Sequence, residues 1–412
     1  MPSPRFGFLI AQHPAINHAV ILREIRLLRN HLDIHTASVR GPDRPPDRLS
    51  PEELEEARQT FYVKPAGVGR AISALFQAFW LNPARFTGAL FFALSLPGFA
   101  PLQSMRNLAY FGEAAVTGLW LRRNGLTHLH THYSSTIALL VHRTFGIPVS
   151  ISFHGPDEFN DPGGFWLREK VHACAFVRAI SHYARSRLMI SSQPSEWGKI
   201  EVAYMGVDPR TFTPRPFRRS PARIEISCVG RLAPVKAQHL LIAAIALLRD
   251  RQKVLLHLVG GGPDRRYLEE EVSRLGVGDS VVFHGFTPQE ELDALYRQTD
   301  IFALPSLAEG VPGVLMEAMA MEIPCVSTWI TGVPELIRNG IDGLLAAPSD
   351  VETLAASLQS LIDDPDLRLR IGQAGRQRVL DRFDLRKNSA ALAEIMLRYS
   401  GMNSATAPSM KE

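Results

Sequence analysis

Leu304-Pro305-Ser306-Leu307-Ala308-Glu309-Gly310-Val311-Pro312-Gly313-Val314-Leu315-Met316-Glu317-Ala318-Met319 contains a strand end, a loop and a helix start in direct succession. The apolar run 301–304 is short and stops at a proline, as a buried strand does. Gly310, Pro312 and Gly313 break both helical and strand periodicity, and a helix is expected from Val314. A strand passing through a tight loop into a helix is half of a βαβ unit, the building block of parallel sheets. The first NH groups of such a helix have no intrahelical acceptor and suit a diphosphate, so Gly310, Gly313, Val314 and Leu315 are candidate ligand-binding positions. Glu309 precedes those groups and Glu317 falls on the first turns. A carboxylate accepts hydrogen bonds from vicinal hydroxyls, which offers one acid for a ribose and one for a sugar.

The same rhythm extends outward in both directions. On the C-terminal side of a Pro-rich stretch the pattern predicts strands at 224–229, 254–259, 281–284 and 324–327, with helices at 236–248, 265–275, 351–362 and 367–382. Before that stretch it predicts strands at 6–11, 34–39, 128–131, 149–153, 176–180 and 199–203, and helices at 16–31 and 135–145. The fold class is therefore α/β with two parallel-sheet domains. Residues 206–223, with Pro209, Pro214, Pro216 and Pro221, mark the boundary. The expected domains are 1–205 and 206–382, followed by a helix and a polar, disordered tail over 383–412.

Ligands of such sheets bind beyond the carboxyl ends of strands. In Val229-Gly230-Arg231-Leu232-Ala233-Pro234-Val235-Lys236, Gly230 allows close backbone approach, and Arg231 and Lys236 add cations beside a helix N-terminus, a combination suited to phosphate. In Ser152-Phe153-His154-Gly155, His154 follows a strand, where an imidazole can donate to a sugar hydroxyl or move a proton. His130 and His132 read as structural. Gly260-Gly261-Gly262-Pro263-Asp264 reads as a packing turn with Asp264 as a helix cap, and Asp364-Pro365-Asp366 as a cap and helix stop rather than a metal pair.

The chain has 412 residues, of which 46% are hydrophobic and 21% charged, a composition that excludes disordered and fibrous classes. Residues 1–200 carry 21 Lys and Arg against 14 Asp and Glu; residues 201–412 carry 24 against 27. The basic character lies in the first half. With no Lys/Arg run or interleaved aromatic motif, nucleic acid is excluded as a partner in favour of an anionic substrate or membrane surface. Cys174, Cys228 and Cys325 lack metal-ligand or disulfide spacing and read as buried thiols. Residues 67–105 are rich in Phe and Leu, with Trp80 and no acid. They read either as a core helix pair or as a monotopic surface at a membrane interface. No secretory h-region or membrane span is evident, and a cytoplasmic location, at the inner face of the plasma membrane where lipid is contacted, is expected.

Taken together, Gly230-Arg231 to Lys236, the Gly260 to Pro263 turn, the E-x7-E of Glu309 and Glu317, and Gly332-Val333-Pro334-Glu335 resemble family 4 glycosyltransferases of the GT-B fold. Leu22-Arg23-Glu24-Ile25 and 34–40 are similar to bacterial members that build exopolysaccharide such as colanic acid. The resemblance implies two facing Rossmann-like domains and a final helix that crosses back onto the first. It implies a retaining, metal-independent hexosyl transfer from a UDP- or GDP-sugar to a glycan or polyprenyl-linked acceptor. By the same resemblance Arg231 and Lys236 hold the diphosphate, Glu309 and His154 the donor sugar, and Glu317 the ribose. The sequence departs from the family at 12–18, where a Gly-Gly loop is usual, and at Glu322, where Gly is usual and a change of turn is expected. Two other readings share the architecture: a sugar-nucleotide epimerase using Asp157 and Glu158, and a non-catalytic accessory protein.

Overall fold

The computed structural model describes residues 4–401 apart from 65–66, 96–100, 156–157, 160–165 and 288. The Asp157 of the epimerase reading, part of the apolar segment 67–105, and the polar tail beyond 401 lie outside the described residues. The chain forms two compact units, Met1–Ala203 with Ser389–Glu412, and Tyr204–Asn388.

In the first unit the order is β1 (Arg5–Gln12), α1 (Ala19–Leu28), β2 (Asp33–Arg40), α2 (Pro51–Gln59), β3 (Phe61–Tyr62), α3 (Val68–Leu81), α4 (Pro83–Ser95), α5 (Pro101–Arg123), β4 (His128–His132), α6 (Ser135–Phe145), β5 (Val149–Phe153), α7 (Leu167–Ala173), β6 (Phe176–Ala179), α8 (His182–Ile190) and β7 (Ile200–Val202). The strands form a parallel sheet in the order β3-β2-β1-β4-β5-β6-β7.

The second unit runs through β8 (Ile224–Val229), α9 (Gln238–Leu247), β9 (Val254–Val259), α10 (Arg265–Leu275), β10 (Val281–Gly285), α11 (Gln289–Gln298), β11 (Ile301–Leu304), α12 (Gly313–Ala320), β12 (Cys325–Thr328), α13 (Val333–Leu336), β13 (Leu344–Ala346), α14 (Val351–Asp363) and α15 (Pro365–Arg382). Its parallel sheet has the order β10-β9-β8-β11-β12-β13. The last helix, α16 (Leu385–Ser400), begins in the second unit and from Ser389 belongs to the first. There the Tyr399 ring packs tilted against Phe176, with centroids 5.2 Å apart, and its hydroxyl donates to Glu201 Oε1 at 3.0 Å.

Each strand order reverses once, between β1 and β4 and again between β8 and β11. Loops leaving the two strands of such a switch point run in opposite directions and open a crevice between them. The motif loops read from the sequence fall here: 230–236 follows β8 and 305–312 follows β11. The central strands are buried on both faces, which their near-continuous apolar sequences require.

Several local expectations are corrected. The helix expected over 16–31 is a 3-10 turn at Ile16–His18 followed by α1, which ends at Leu28. Asp264 occupies the N-cap position of α10, but its side chain makes no cap bond, whereas Asp364 caps α15 by accepting from Leu367 N at 3.0 Å. Glu322, in place of the family's glycine, adopts φ 59, the left-handed region where a side chain is strained by about 1 kcal/mol. The described part of the apolar segment forms a helix pair that is packed on one side and exposed on another. Ala74, Ala78, Ala89 and Ala93 pack inward, while Val68, Ile72, Phe76 and Trp80, four residues apart along α3, are 63% to 77% exposed. Among the described residues no helix is long and apolar enough to cross a membrane.

Candidate functional site

In the second unit the two loops at the switch point are stitched together. Leu307 N donates to Val235 O at 2.8 Å, and Lys236 Nζ donates to Glu309 Oε1 at 2.5 Å. Ser306 Oγ donates to the same carboxylate oxygen at 2.6 Å. Thr331 Oγ1 donates to the Glu309 carbonyl, and the Ser306 carbonyl accepts from Thr328 Oγ1 at 2.5 Å. A charge pair with this many hydrogen bonds is fixed in direction, and the pair is only partly exposed, so water screens it incompletely.

Glycines allow the loops to approach this closely. A Cβ on Gly260, which has φ +134, would lie 2.1 Å from the Gly230 carbonyl oxygen. One on Gly332 would lie 2.2 Å from that of Gly310. The Gly260 to Pro263 turn and the Gly332 motif therefore shape the floor under the two loops.

Gly313 is the first residue of α12, so the NH groups of Gly313, Val314 and Leu315 belong to the turn without intrahelical acceptors. The Leu315 side chain is fully buried; only its backbone is available to a ligand, which narrows the part read for it from sequence. Glu317 is half-buried and accepts from Tyr296 Oη at 3.0 Å. Burial, with the Glu317 carboxylate second, raises the Tyr296 pKa well above its ordinary value, so this phenol stays a donor. The Arg231 side chain is exposed, and its carbonyl accepts from Gln238 Nε2 at 3.0 Å. Lys236 and Glu309 are thus brought into contact, with Gly230, Gly310 and the start of α12 on the same two loops.

His154 belongs to the first unit, just past β5. Its Nε2 lies 2.8 Å from His132 Nδ1, and its backbone NH donates to Glu158 Oε2 at 2.5 Å. Tyr133 stacks on His154 with ring centroids 4.6 Å apart and on His18 at 4.9 Å. Burial, followed by the Arg178 and His18 charges, lowers the His154 pKa well below its ordinary value, so the ring is neutral near pH 7. Glu158 also accepts from Gly155 N at 3.3 Å, which makes it the cap of this turn rather than a free acid-base group. Cys174, Cys228 and Cys325 are buried and free, and no group of three potential metal ligands occurs among the described residues.

Sequence reading missed Ser306, Thr331, Tyr296, Tyr133 and the pairing of His132. Ser306 and Thr331 carry a usable signal, standing next to motif residues; Tyr296, on a helix well before Glu317, carries none.

A doubly wound sheet whose switch point gathers a Lys–Glu pair, two glycine loops and a helix N-terminus is a Rossmann-like α/β unit with a crevice suited to an anionic ligand. The comparisons narrow this. The family described as glycosyl transferases group 1 matches residues 210–378. A Mycolicibacterium smegmatis GDP-mannose-dependent alpha-(1-6)-phosphatidylinositol monomannoside mannosyltransferase is 34% identical over 53% of this chain and 61% of its own length. The Escherichia coli K12 protein named as a colanic acid biosynthesis glycosyltransferase, WcaL, is 31% identical over 70% of this chain and 69% of its own. Anabaena HepE, whose structure holds UDP and glucose, superposes with a TM-score of 0.71 at 18% identity, covering 95% of this chain and 99% of HepE. The chain belongs to the group 1 glycosyl transferases and has the GT-B fold.

Proposed function

We propose that this protein transfers a sugar from a nucleotide diphosphate sugar, a UDP- or GDP-sugar, to a glycan or polyprenyl-linked acceptor in bacterial cell-surface glycan synthesis, retaining the anomeric configuration and using no metal ion. The observation that carries this reading is the Lys236–Glu309 pair across the switch point, beside the first turn of α12. Such a site supplies positive charge where a diphosphate leaves: Lys236, Arg231 and the amides of Gly313, Val314 and Leu315 take up its charge, with Gly230 and Gly310 leaving room for it. Glu309 holds the donor sugar, Glu317 the ribose, and neutral His154 a sugar hydroxyl. As the bond from the anomeric carbon to the phosphate oxygen breaks, the acceptor oxygen bonds to that carbon from the same face, and its proton passes to a donor phosphate oxygen.

The names of the colanic acid and mannosyl relatives support the glycan context, and UDP in HepE supports the donor class. The outward aromatic stripe of α3, in a stretch without acids, supports peripheral contact with the inner face of the plasma membrane. The test is to incubate the purified chain with UDP- and GDP-sugars and a polyprenyl diphosphate-linked sugar, with and without EDTA, and to read the new linkage by NMR. An EDTA-insensitive product with the donor's anomeric configuration is expected. An inverted product, or one that requires added metal, would refute the mechanism.

A further inference from the structure

His128, His130 and His132 lie on one face of β4, and the register of His132 with Ser152 carries that face on to His154, two residues further along the chain. Only His154 has a part in the transfer described above. His132, whose Nδ1 lies 2.8 Å from His154 Nε2, has none. Both rings are buried, and burial holds both pKa values well below the ordinary value, so each ring carries one proton near pH 7. The contact between the two nitrogens therefore holds one proton, and its donor is either ring.

The other nitrogen of His132 decides between them. Its Nε2 is buried and has no partner. Were His132 the acceptor, its own proton would sit on Nε2 as a buried N–H with nothing to bond, which costs about 1–3 kcal/mol and is rare in folded chains. With the proton on Nδ1, Nε2 is left with a bare lone pair, the milder defect. His132 is then the donor and His154 Nε2 the acceptor, which leaves the His154 proton on Nδ1. That nitrogen makes no hydrogen bond among the described residues, so its proton is left for a ligand. The same rule assigns His128 the reverse form: its Nδ1 is the buried nitrogen without a partner, and Nε2 carries the proton toward Ser150 Oγ.

His154 is held on its other sides as well. Tyr133 covers its face and is itself backed by His18, and the Tyr133 backbone has φ 60, a conformation that costs a non-glycine residue about 1 kcal/mol. Strain of this kind gathers at ligand sites, where the surrounding structure over-determines it. The backbone NH of His154 is fixed by Glu158.

We propose that His132 is a positioning residue of the transfer: by donating from Nδ1 to His154 Nε2 it fixes His154 as an Nδ1–H donor, which binds a hydroxyl of the donor sugar and takes no proton from it. That the hydroxyl belongs to a sugar rests on the transferase reading; the placement of the two protons rests on the first unit alone.

With the full chain carrying isotope-labelled histidine, two-bond proton–nitrogen NMR correlations read which nitrogen of each ring is protonated. His132 and His154 are expected as Nδ1–H and His128 as Nε2–H; a free histidine favours Nε2–H, so the form expected of His154 is not the default one. In His132→Phe, which keeps a ring near Phe8, the His154 Nε2 resonance should move to that of an unbonded nitrogen. On the same preparations the kcat/KM for the nucleotide sugar should fall by about five- to tenfold, with UDP and GDP affinity unchanged. His132→Asn, whose amide nitrogen stands where Nδ1 stood, should recover most of that loss, which a role in stability alone would not give. His154 protonated at Nε2 in the parent, or His132→Asn no better than His132→Phe at equal urea midpoints, would overturn the proposal. A parent that turns over no nucleotide sugar while both rings carry their protons on Nδ1 would sink the transferase reading and leave His132 as the residue that sets the His154 tautomer.

Discussion

Acidification from pH 7.5 to 5.5 should unfold the first unit through four histidines. His128, His130 and His132 alternate along β4, and their rings face β5: His128 Nε2 and His130 Nδ1 lie 2.8 Å and 2.7 Å from Ser150 Oγ, His130 Nε2 lies 2.9 Å from Ser152 Oγ, and His132 meets His154. Burial lowers the His128 pKa to about 3 and holds the other three well below their ordinary value, with the Arg178 charge adding to the effect on those three. Each ring therefore stays neutral in the folded chain over this range, while in the unfolded chain it protonates near 6.5.

The unfolded state binds more protons, so stability falls as pH falls below 6.5. Between pH 7.5 and 5.5 each histidine contributes about 1.3 kcal/mol of loss, and the four together about 5 kcal/mol, comparable to the whole stability of an ordinary domain. Burial also lowers the pKa of His18, His142 and Lys170 in the same unit, which adds to the loss, while Glu113, whose pKa burial raises, works in the opposite direction. Four of the five tryptophans, Trp80, Trp120, Trp166 and Trp197, lie in the first unit, so urea unfolding followed by tryptophan fluorescence reports chiefly on it. The urea midpoint should drop steeply across this range. In His128→Phe, whose ring would sit beside Phe6 and Phe176, the slope should become shallower. A midpoint that does not move between pH 7.5 and 5.5 would refute the neutral, buried ladder.

Three further outcomes are expected. Gly260→Ala drives a Cβ into the Gly230 carbonyl and should lower stability by about 1–3 kcal/mol while weakening nucleotide binding, whereas Gly261→Ala, with open space around it, should be near neutral by thermal denaturation. Tyr296→Phe removes the hydroxyl that positions Glu317 and should raise the donor KM by about tenfold with kcat little changed, as steady-state kinetics would show. Trp80→Ser and Phe76→Ser should each weaken sedimentation with phosphatidylglycerol vesicles by about tenfold or more; unchanged binding would exclude the α3 stripe as the membrane face.

Much of the fold was legible because buried parallel strands are short apolar runs that stop at Gly or Pro. Residues 149–153, 224–229, 254–259 and 301–304 carry that signature and form the strands with those limits. The two-residue β3 and three-residue β13 are too short for any periodicity and exist because a neighbouring strand offers a free edge. Helix α11 is polar on most positions and lost its signal against the surrounding loops.

For the site, Lys236 and Glu309 were each readable from their loops, but their contact depends on β8 and β11 being neighbours across a crossover, which local sequence does not encode. Likewise His132 and His154 meet because β4 pairs with β5 in the register His132 to Ser152, leaving His154 one step beyond the strand end. A slip of one residue would turn His132 to the opposite face.

The most direct test of the central claim is calorimetric titration of the full chain with UDP and GDP in EDTA, beside Lys236→Ala and Glu309→Gln. The account expects one of the two nucleotides to bind at a single site, with affinity reduced by about tenfold or more in Lys236→Ala and little changed in Glu309→Gln, whose role is toward the sugar. Binding of neither nucleotide, or binding indifferent to Lys236, would contradict it.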